Sequence, residues 1–260
     1  LVLGANPLVS NGSIMTAPDM KRRLRELKER GGRLVVVDPR RTETAEVADA
    51  FHFIRPGTDA LMLLAWVHAL FAEDRVCGAD LRGKEELRDA VKAWTPERVA
   101  ETTGIAADAL RGMVRAHADA DRAVLYGRLG VSTQVFGGVA SWLVYAINAL
   151  TGNLDKPGGL MWPTPAVDLV ELTSLTGGTG SYGRWRTRVG DLPEFNGEIP
   201  AASLADEILT EGPGQVRALI TVAGNPVLST PNGRKLAGAL DQLDFFVAID
   251  PWITATSCHA

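Results

Sequence analysis

Cysteine is scarce in this sequence of 260 residues, and its two copies lie far apart. Neither Cys77 nor Cys258 has a CxxC partner or a histidine at the spacing of a metal site. An iron–sulfur cluster needs several thiolate ligands, so neither a cluster nor a zinc site is expected within the sequence. The two residues are interpreted as free thiols of a reducing compartment, and a cytoplasmic location is predicted.

Long apolar runs and an excess of positive charge are also missing. No stretch of 18 or more apolar residues is present, so no membrane span is predicted. The formal net charge is −4, which argues against a basic nucleic-acid surface. With 46% apolar residues, the chain has enough apolar surface for one large domain or two modest ones.

Several familiar catalytic motifs are absent as well. The sequence contains no GxSxG elbow, no P-loop and no HExxH helix. Its glycine-rich segment, GRLGVSTQVFGG at 127–138, has the spacing GxxG and not the GxGxxG of NAD-binding proteins. The four histidines are not clustered and are interpreted as structural. No catalytic residue and no metal ligand is therefore predicted.

What the sequence does contain is one pattern that occurs twice. An apolar run precedes GANPLVS at 4–10, a helical segment follows, and a second apolar run leads into VVVDPRRTET at 35–44. Near the end, ALITVAGNPVLS at 218–229 and FFVAIDPWITAT at 245–256 repeat this order. Continuous β-branched runs are typical of parallel strands, and strand–helix–strand is a βαβ unit. The fold is predicted to be α/β, with two mainly parallel, doubly wound units.

The remaining segments define the domain organisation. A third strand at 51–54 and an apolar helix at 60–72 extend the first unit, and a glycine-rich loop at 127–138 precedes a helix at 139–150. The first domain is predicted at 1–160 with a helical insertion at 78–120. The second is predicted at 161–260, where a long loop at 163–200 is interpreted as a solvated excursion or, alternatively, the lining of an anion channel.

Ligands of parallel α/β sheets bind beyond the carboxyl ends of the strands. Glycines at positions 4 and 224 would let a phosphate approach the backbone, and Asn6 and Asn225 would present an amide to a nucleotide. Thr58 or Asp59 is interpreted as the cap of the helix at 60–72, and Asp59 alternatively as a guanine ligand. The acids at 38 and 250 are interpreted as ribose or purine acceptors or as caps. The loops expected to share one rim begin at Gly4, Asp38, Pro56, Gly127, Gly224 and Asp250.

Taken together, these segments resemble the molybdopterin oxidoreductase family, which contains formate dehydrogenases, periplasmic nitrate reductases and DMSO reductase. The resemblance is carried, in the family's order, by GANPLVS, VVVDPRRTETAEVAD, IRPGTD, YGRLGVSTQVFGG, LTGNLDKPGG, VAGNPVLSTPNG and FFVAIDPWITAT. It implies a large enzyme that holds a bis-molybdopterin guanine dinucleotide cofactor with molybdenum or tungsten between two pseudosymmetric α/β domains. A small redox molecule would be its substrate, and an electron-transfer subunit is a candidate partner.

The resemblance also assigns cofactor contacts by position. One guanine dinucleotide would be bound by Gly4, Asn6, Pro7, Asp38, Pro39, Arg40, Thr42, Gly57, Thr58 and Asp59. The other dinucleotide, or its pterin, would be bound by Leu129, Thr133 or Gln134, Asn225 and Asp250. Several relatives have methionine at the position of Leu129, and the length of this loop leaves Thr133 and Gln134 as alternatives.

In this family, the cysteines of a 4Fe-4S cluster and the metal ligand precede the first of these motifs, and a further domain closes over the pterins. The chain is therefore interpreted as the cofactor-binding middle of a longer polypeptide, with a second α/β domain that lacks strands supplied by upstream sequence. Alone, it is expected to lack metal and cofactor and to be inactive. The alternatives are a non-catalytic scaffold, such as the homologous subunit of respiratory complex I, and an unrelated NAD-binding enzyme, which would need a strict GxGxxG.

Overall fold

A computed structural model of the protein describes residues 1–12, 17–77, 81–175, 177–178 and 180–260. The chain divides into two compact units, Leu1–Thr164 and Pro165–Ala260. Each unit has its own cluster of buried apolar side chains. The first three residues of the predicted insertion, 78–80, lie outside the described residues.

The first unit contains a parallel sheet of four strands in the order β3-β2-β1-β4. Val2 pairs with Val36 on one side and with Tyr126 on the other, and every neighbouring pair is parallel. The strands are β1 Val2–Leu3, β2 Val35–Val37, β3 Ala50–His52 and β4 Tyr126–Gly127. The helices are α1 Pro7–Ser10, α2 Met20–Glu29, α3 Glu43–Glu46, α4 Asp59–Ala72, α5 Lys84–Val91, α6 Pro96–Thr103, α7 Ala107–Ala118, α8 Leu129–Ser132 and α9 Gly137–Leu150.

The side chains of this sheet alternate between two buried layers. Val2 and Val36 belong to a cluster with Leu24 of α2. Leu3 and Val37, their neighbours along the strands, belong to the main cluster with α4 and α9. Successive residues of a strand point to opposite faces, so helices cover the sheet on both sides. The predicted doubly wound α/β arrangement is confirmed for the first unit.

The insertion folds as helices α5, α6 and α7, which pack on α4. Local sequence explains α6: the hydroxyl of Thr95 accepts the Arg98 N–H, Pro96 is the first helical residue, and Gly104 ends the helix with φ +79°. Arg115 of α7 donates to Glu73 at the end of α4 over 2.7 Å. The described residues of the segment predicted as an insertion are thus mainly helical.

The second unit has a two-stranded parallel sheet. Its helices and strands are α10 Leu169–Leu175, β5 Tyr182–Arg186, β6 Pro193–Phe195, α11 Leu204–Leu209, β7 Ala218–Val222, α12 Pro226–Ser229, α13 Gly233–Leu240 and β8 Phe245–Ile249, with short 3-10 helices at Ala201–Ser203 and Ser257–His259. Strands β7 and β8 pair in parallel from Ala218 with Phe245 to Val222 with Ile249. The predicted parallel pairing of the second repeat is confirmed.

Helices cover only one face of this second sheet within the described residues. Leu219 and Phe246 pack against the cluster formed by α11 and α13. On the other face, Val222 is 67% exposed and its partner Ile249 is 58% exposed. Parallel sheets are normally covered on both faces, so this unit differs from the first in having an apolar face toward solvent.

Two segments predicted as loops contain regular structure. The segment 163–200 is largely exposed, but it contains α10 and an antiparallel hairpin of β5 and β6, where the rings of Tyr182 and Phe195 lie 4.9 Å apart. The buried Glu194 carboxylate accepts the Arg184 N–H over 2.7 Å, an interaction between distant residues that no local period signals. The glycine-rich loop at 127–138 is interrupted by helix α8, and α9 already begins at Gly137.

Candidate functional site

The strand order of the first unit changes direction at β1, beside β4, and the carboxyl ends of these two strands are adjacent. The chain continues from β1 to β2 on one side, whereas β4 lies on the other side of β1. Such a change of direction is where open parallel sheets bind their ligands. Gly4 follows β1 and Gly130 follows β4, so both loops lie at this point of the sheet.

The loops after β1 and β4 are in direct backbone contact. A Cβ atom added to Gly4 would lie 2.9 Å from the Gly130 backbone, and one added to Gly130 would lie 2.7 Å from the Gly4 Cα atom. The Gly130 N–H donates to the Gly4 carbonyl over 3.1 Å. Both positions therefore need glycine. Gly130 was not among the predicted site residues, although the GxxG spacing of 127 and 130 drew attention to its loop.

Two acidic side chains lie at the same edge of this sheet. Asp38 follows β2 and is largely buried, and its Oδ1 atom accepts the Arg40 N–H over 2.8 Å. Its Oδ2 atom has no hydrogen-bond partner among the described residues. Asp59 is the first residue of α4 and is buried. Burial raises the pKa of Asp59, and the nearby charge of Asp38 raises it further.

Gln134 connects Asp59 to the loop after β4. Its Nε2 atom donates to Asp59 Oδ2 over 2.7 Å and also to the Gly130 carbonyl. Gly57 lies beside it with φ +84°, and an added Cβ there would be 3.7 Å from Gln134 Oε1. Thr58 precedes α4, but its hydroxyl donates back to the Arg55 carbonyl and does not cap the helix. The interpretation of Thr58 as a side-chain cap is therefore wrong.

In the first repeat, Asn6 is fixed by a threonine of the β2 loop. Its Oδ1 atom accepts the Thr44 hydroxyl over 2.8 Å and the Thr44 N–H over 3.3 Å. The Leu8 N–H donates to the same Thr44 hydroxyl over 3.1 Å. The Nδ2 atom of Asn6 donates to Glu43 Oε2 over 2.6 Å. The loop after β1 is thus joined to the start of α3.

The second repeat contains the same arrangement. Asn225 Oδ1 accepts the Thr256 hydroxyl over 2.7 Å, and the Val227 N–H donates to that hydroxyl over 3.0 Å. The backbone angles of Asn6 are φ −127° and ψ 71°, and those of Asn225 are φ −125° and ψ 68°. The likeness between the two copies therefore extends to individual hydrogen bonds.

The strands and acids of the repeats also correspond. Asp250 Oδ1 accepts the Trp252 N–H over 2.9 Å, as Asp38 does with Arg40. The Gly4 N–H donates to the carbonyl before Asp38, and the Ala223 N–H donates to the carbonyl before Asp250. Ala223 has φ +49°, close to the +52° of Gly4. The counterpart of Gly4 is thus Ala223, and the pairing of Gly4 with Gly224 is wrong by one residue.

Thr44 and Thr256 are site residues that sequence reasoning missed. The signal was present, because both repeats read D-P-x-x-T-x-T from their strand-end aspartate, at 38–44 and at 250–256. The first threonine of each motif has a local role. Thr42 accepts the Ala45 N–H at the start of α3, and Thr254 accepts the Ser257 N–H.

The other predicted residues are placed as follows. Pro7 is the first residue of α1, and Arg40, which follows the exposed Pro39, lies 3.3 Å from Glu43. Leu129 and Thr133 are exposed, and the Thr133 hydroxyl donates to the Leu129 carbonyl over 2.6 Å. The residues assigned to the second dinucleotide fall in both units: Leu129, Thr133 and Gln134 in the first, Asn225 and Asp250 in the second.

The six loops of the predicted rim follow two separate sheets. Four follow the strands of the first sheet, and those beginning at Gly224 and Asp250 follow the second. In the described part of the chain, no group of three or more histidine, cysteine or acidic side chains is placed to hold a metal ion. Among the same residues, no helix has both the length and the apolar character needed to cross a membrane.

The fold and its carboxyl-edge residues define an α/β protein of the doubly wound class with a repeated strand–loop unit. Comparison with known families specifies it further. The model of the family described as "Molybdopterin oxidoreductase" matches residues 1–260, and the chain belongs to this family.

Relatives agree with this assignment, and a solved structure shares the fold. The chain is 25% identical over 268 residues to the F420-dependent formate dehydrogenase subunit alpha of Methanocaldococcus jannaschii, covering 99% of this chain and 39% of that protein. It is 32% identical over 161 residues to formate dehydrogenase H of Escherichia coli, covering 60% and 22%. Acetylene hydratase from Pelobacter acetylenicus superimposes with a TM-score of 0.78 at 20% identity, covering 100% and 40%. The chain thus spans about two fifths of the length of the Methanocaldococcus jannaschii subunit and of acetylene hydratase.

Proposed function

We propose that this chain is the part of a molybdenum or tungsten oxidoreductase that binds the two guanine dinucleotide arms of a bis-molybdopterin guanine dinucleotide cofactor, one on each unit. The observation that carries the proposal is the repeated asparagine–threonine–aspartate arrangement at the carboxyl edges of both sheets. Two copies of one loop geometry suit a cofactor that itself has two equivalent arms.

The aspartates of the repeats fit a nucleotide ligand. One carboxylate oxygen of Asp38 and of Asp250 holds its own loop by accepting a backbone N–H. The second oxygen of each has no partner among the described residues. A strand-end carboxylate of this kind is a suitable acceptor for ribose hydroxyls or a purine N–H.

The glycines have distinct roles in the proposed site. Gly4 and Gly130 bring two loops into contact at the carboxyl ends of β1 and β4, so they shape the site and do not themselves make room for a phosphate. Gly57 is exposed with φ +84°, and the side chain of Gln134 is its nearest neighbour, so a ligand can approach its backbone. Asp59 and Gln134 stay predicted contacts, and the hydrogen bond between them fixes both.

The chemistry of the whole enzyme depends on parts beyond this chain. When bound, the cofactor supplies a metal held by pterin dithiolenes, which exchanges two electrons with a small substrate. This chain would contribute binding and orientation of the dinucleotide arms. A 4Fe-4S cluster, a metal ligand and an electron-transfer subunit belong to the proposed whole, and the isolated chain is expected to be inactive.

The test is the nucleotide content of the full-length protein, purified from cells that make the cofactor and then denatured. We expect two guanine nucleotides per chain by mass spectrometry, with one molybdenum or tungsten atom. Protein without guanine nucleotide would overturn the proposal and favour the non-catalytic scaffold.

A pair of variants tests the second unit specifically. Because the two arms belong to one cofactor, Asp250→Ala is expected to lower the occupancy of the whole cofactor, so that guanine nucleotide and metal are lost together. Asp244→Ala is the matched control, because Asp244 precedes the same strand but pairs with Arg217 over 2.6 Å. The control is expected to retain both nucleotides. Equal retention by the two variants would exclude Asp250 from the site.

A further inference from the structure

The carboxamides of Asn6 and Asn225 each have a donor end and an acceptor end of nearly equal size. A ligand that binds such a side chain specifically needs the same end of the carboxamide, donor or acceptor, to face it in every molecule. The residues that decide the orientation are Thr44 and Thr256, both of which are 0% exposed. Neither was part of the predicted site.

The number of protons on the threonine hydroxyl fixes the direction of its hydrogen bond to the asparagine. A threonine hydroxyl has a single proton to donate. In each repeat, the residue two positions after the asparagine, Leu8 or Val227, donates its N–H to this hydroxyl. The hydroxyl proton is then available to the asparagine, which must present its Oδ1 atom. A flipped carboxamide would leave the buried hydroxyl proton without an acceptor, which costs about 1–3 kcal/mol.

The first repeat reinforces this orientation with a second donor. The backbone N–H of Thr44 also points at Asn6 Oδ1, at 3.3 Å. A flipped carboxamide would place its own N–H group against this N–H. In both repeats, therefore, the oxygen of the asparagine faces the threonine and the Nδ2 group lies at the other end.

We propose that Thr44 and Thr256 are positioning residues that orient Asn6 and Asn225 so that the carboxamide N–H groups are presented to acceptor atoms of the two dinucleotides. This inference rests on the proposed function and extends it to residues and a ligand chemistry. Asn225 Nδ2 has no partner among the described residues, so its N–H groups are unused. Asn6 Nδ2 shares its donors with Glu43. The ligand atoms that match are phosphate, ribose or carbonyl oxygens.

Three substitutions in the full-length, cofactor-loaded protein separate positioning from simple stabilisation. Thr256→Val removes the hydroxyl at nearly constant volume, and Thr256→Ser retains it. Asn225→Asp keeps an oxygen for Thr256 but replaces the N–H donor by a negatively charged acceptor. We expect clearly fewer than two guanine nucleotides per chain in Thr256→Val and in Asn225→Asp, because a weakened contact to one arm lowers the occupancy of the whole cofactor, and two in Thr256→Ser.

Thr230→Val is the matched control. Thr230 follows the short helix α12, and its hydroxyl donates over 2.8 Å to the carbonyl of Pro226, the first residue of that helix; it makes no hydrogen bond to Asn225 among the described residues. Its loss is expected to lower the melting temperature comparably to Thr256→Val while both nucleotides stay bound. The corresponding change in the first repeat, Thr44→Val, is expected to lower cofactor retention in the same way.

The outcomes distinguish this inference from the function on which it rests. Wild-type protein without guanine nucleotide would overturn the proposed function. Wild-type protein with two nucleotides, together with two in both Thr256→Val and Asn225→Asp, would overturn the positioning role alone. If Thr256→Val does not fold, Thr44→Val decides, because it removes the equivalent hydroxyl from Asn6 in the first repeat.

Discussion

The two copies of the repeat have the same loop backbone in different surroundings. In the first, the residue at φ +52° is Gly4, and the Gly130 backbone occupies the space that a side chain would need. In the second, Ala223 adopts φ +49° with its methyl group in place. The left-handed conformation therefore belongs to the loop itself, whereas the requirement for glycine comes from the neighbouring chain.

The two sheets differ in the same way. The first has four strands with a buried helix layer on each face, and the second has two strands with one covered face. The same βαβ geometry is thus fully packed in one unit and half packed in the other. Substitutions in the packed unit should therefore change the stability more than substitutions on the open face of the second sheet.

The largest effect on the free energy of unfolding is expected at acidic pH, because the first unit contains a buried histidine. His117 of α7 lies against the indole of Trp66, and burial lowers its pKa from 6.5 to about 4. The unfolded chain binds this proton more readily, so stability is complete above pH 6.5 and falls as the pH drops toward 4. The loss attributable to His117 is about 3 kcal/mol.

Urea unfolding between pH 7.5 and pH 4 measures this effect. In His117→Gln, the part of the loss of stability at low pH that His117 causes should disappear. The part that comes from carboxylates should stay, because both proteins contain the same carboxylates. The difference between the two pH profiles isolates the histidine. Identical profiles for the two proteins would contradict a neutral, buried His117.

The next largest effect is expected at the contact between the loops. Gly130→Ala places a methyl group 2.7 Å from the Gly4 Cα atom, where backbone must move, at a cost of about 1–3 kcal/mol. Gly138→Ala in α9 is the matched control, since an added Cβ meets nothing within 4 Å, and it should stabilise by roughly 0.5–1 kcal/mol. Chemical denaturation of both variants checks the contrast. A neutral Gly130→Ala would show that the loops separate readily.

Local signals predicted much of this fold. The helix from Pro96 to Thr103 follows from its cap, its proline and its terminal glycine, all of which act within a few residues. The strands of both repeats follow from apolar runs that end in Asn-Pro or Asp-Pro. The parallel pairing follows from the βαβ order, because a parallel crossover needs a long connection.

Contacts between distant residues were not predictable in this way. Gly4 and Gly130 meet because the strand order brings β4 beside β1, and no periodicity reports that. The hairpin of β5 and β6 depends on Glu194 accepting backbone N–H groups from the opposite strand. Thr44 and Thr256 were recognisable only by aligning the two repeats beyond their Asp-Pro pairs.

A smaller contrast is expected on the sheets. Val36→Thr buries a hydroxyl in the packed layer and should cost about 1–3 kcal/mol if the hydroxyl finds no partner. Val222→Thr lies on the exposed face of β7 and should change stability in the isolated chain by less than about 0.5 kcal/mol. Urea midpoints of the two variants test this. In the full-length protein, a clear cost at Val222 would reveal a segment that covers this face.

The smallest effect is expected from making the first repeat resemble the second. Glu43 is exposed and accepts from Asn6 Nδ2, and the corresponding residue of the second repeat is Ala255. A hydrogen bond from its own backbone N–H lowers the pKa of Glu43, and the Asn6 side chain and the positively charged Arg40 lower it further. The Glu43 carboxyl group is therefore ionised at neutral pH.

Glu43→Ala should leave the urea midpoint unchanged, because exposed charge pairs contribute little to stability. Glu46→Ala on the same helix is its control. The informative measurement is nucleotide retention by the full-length protein. If Asn6 is oriented by Thr44, the freed N–H groups still face the ligand and retention persists in Glu43→Ala. Lower nucleotide retention in that variant would instead make Glu43 the residue that orients Asn6, and the two repeats would then differ in how they hold their ligands.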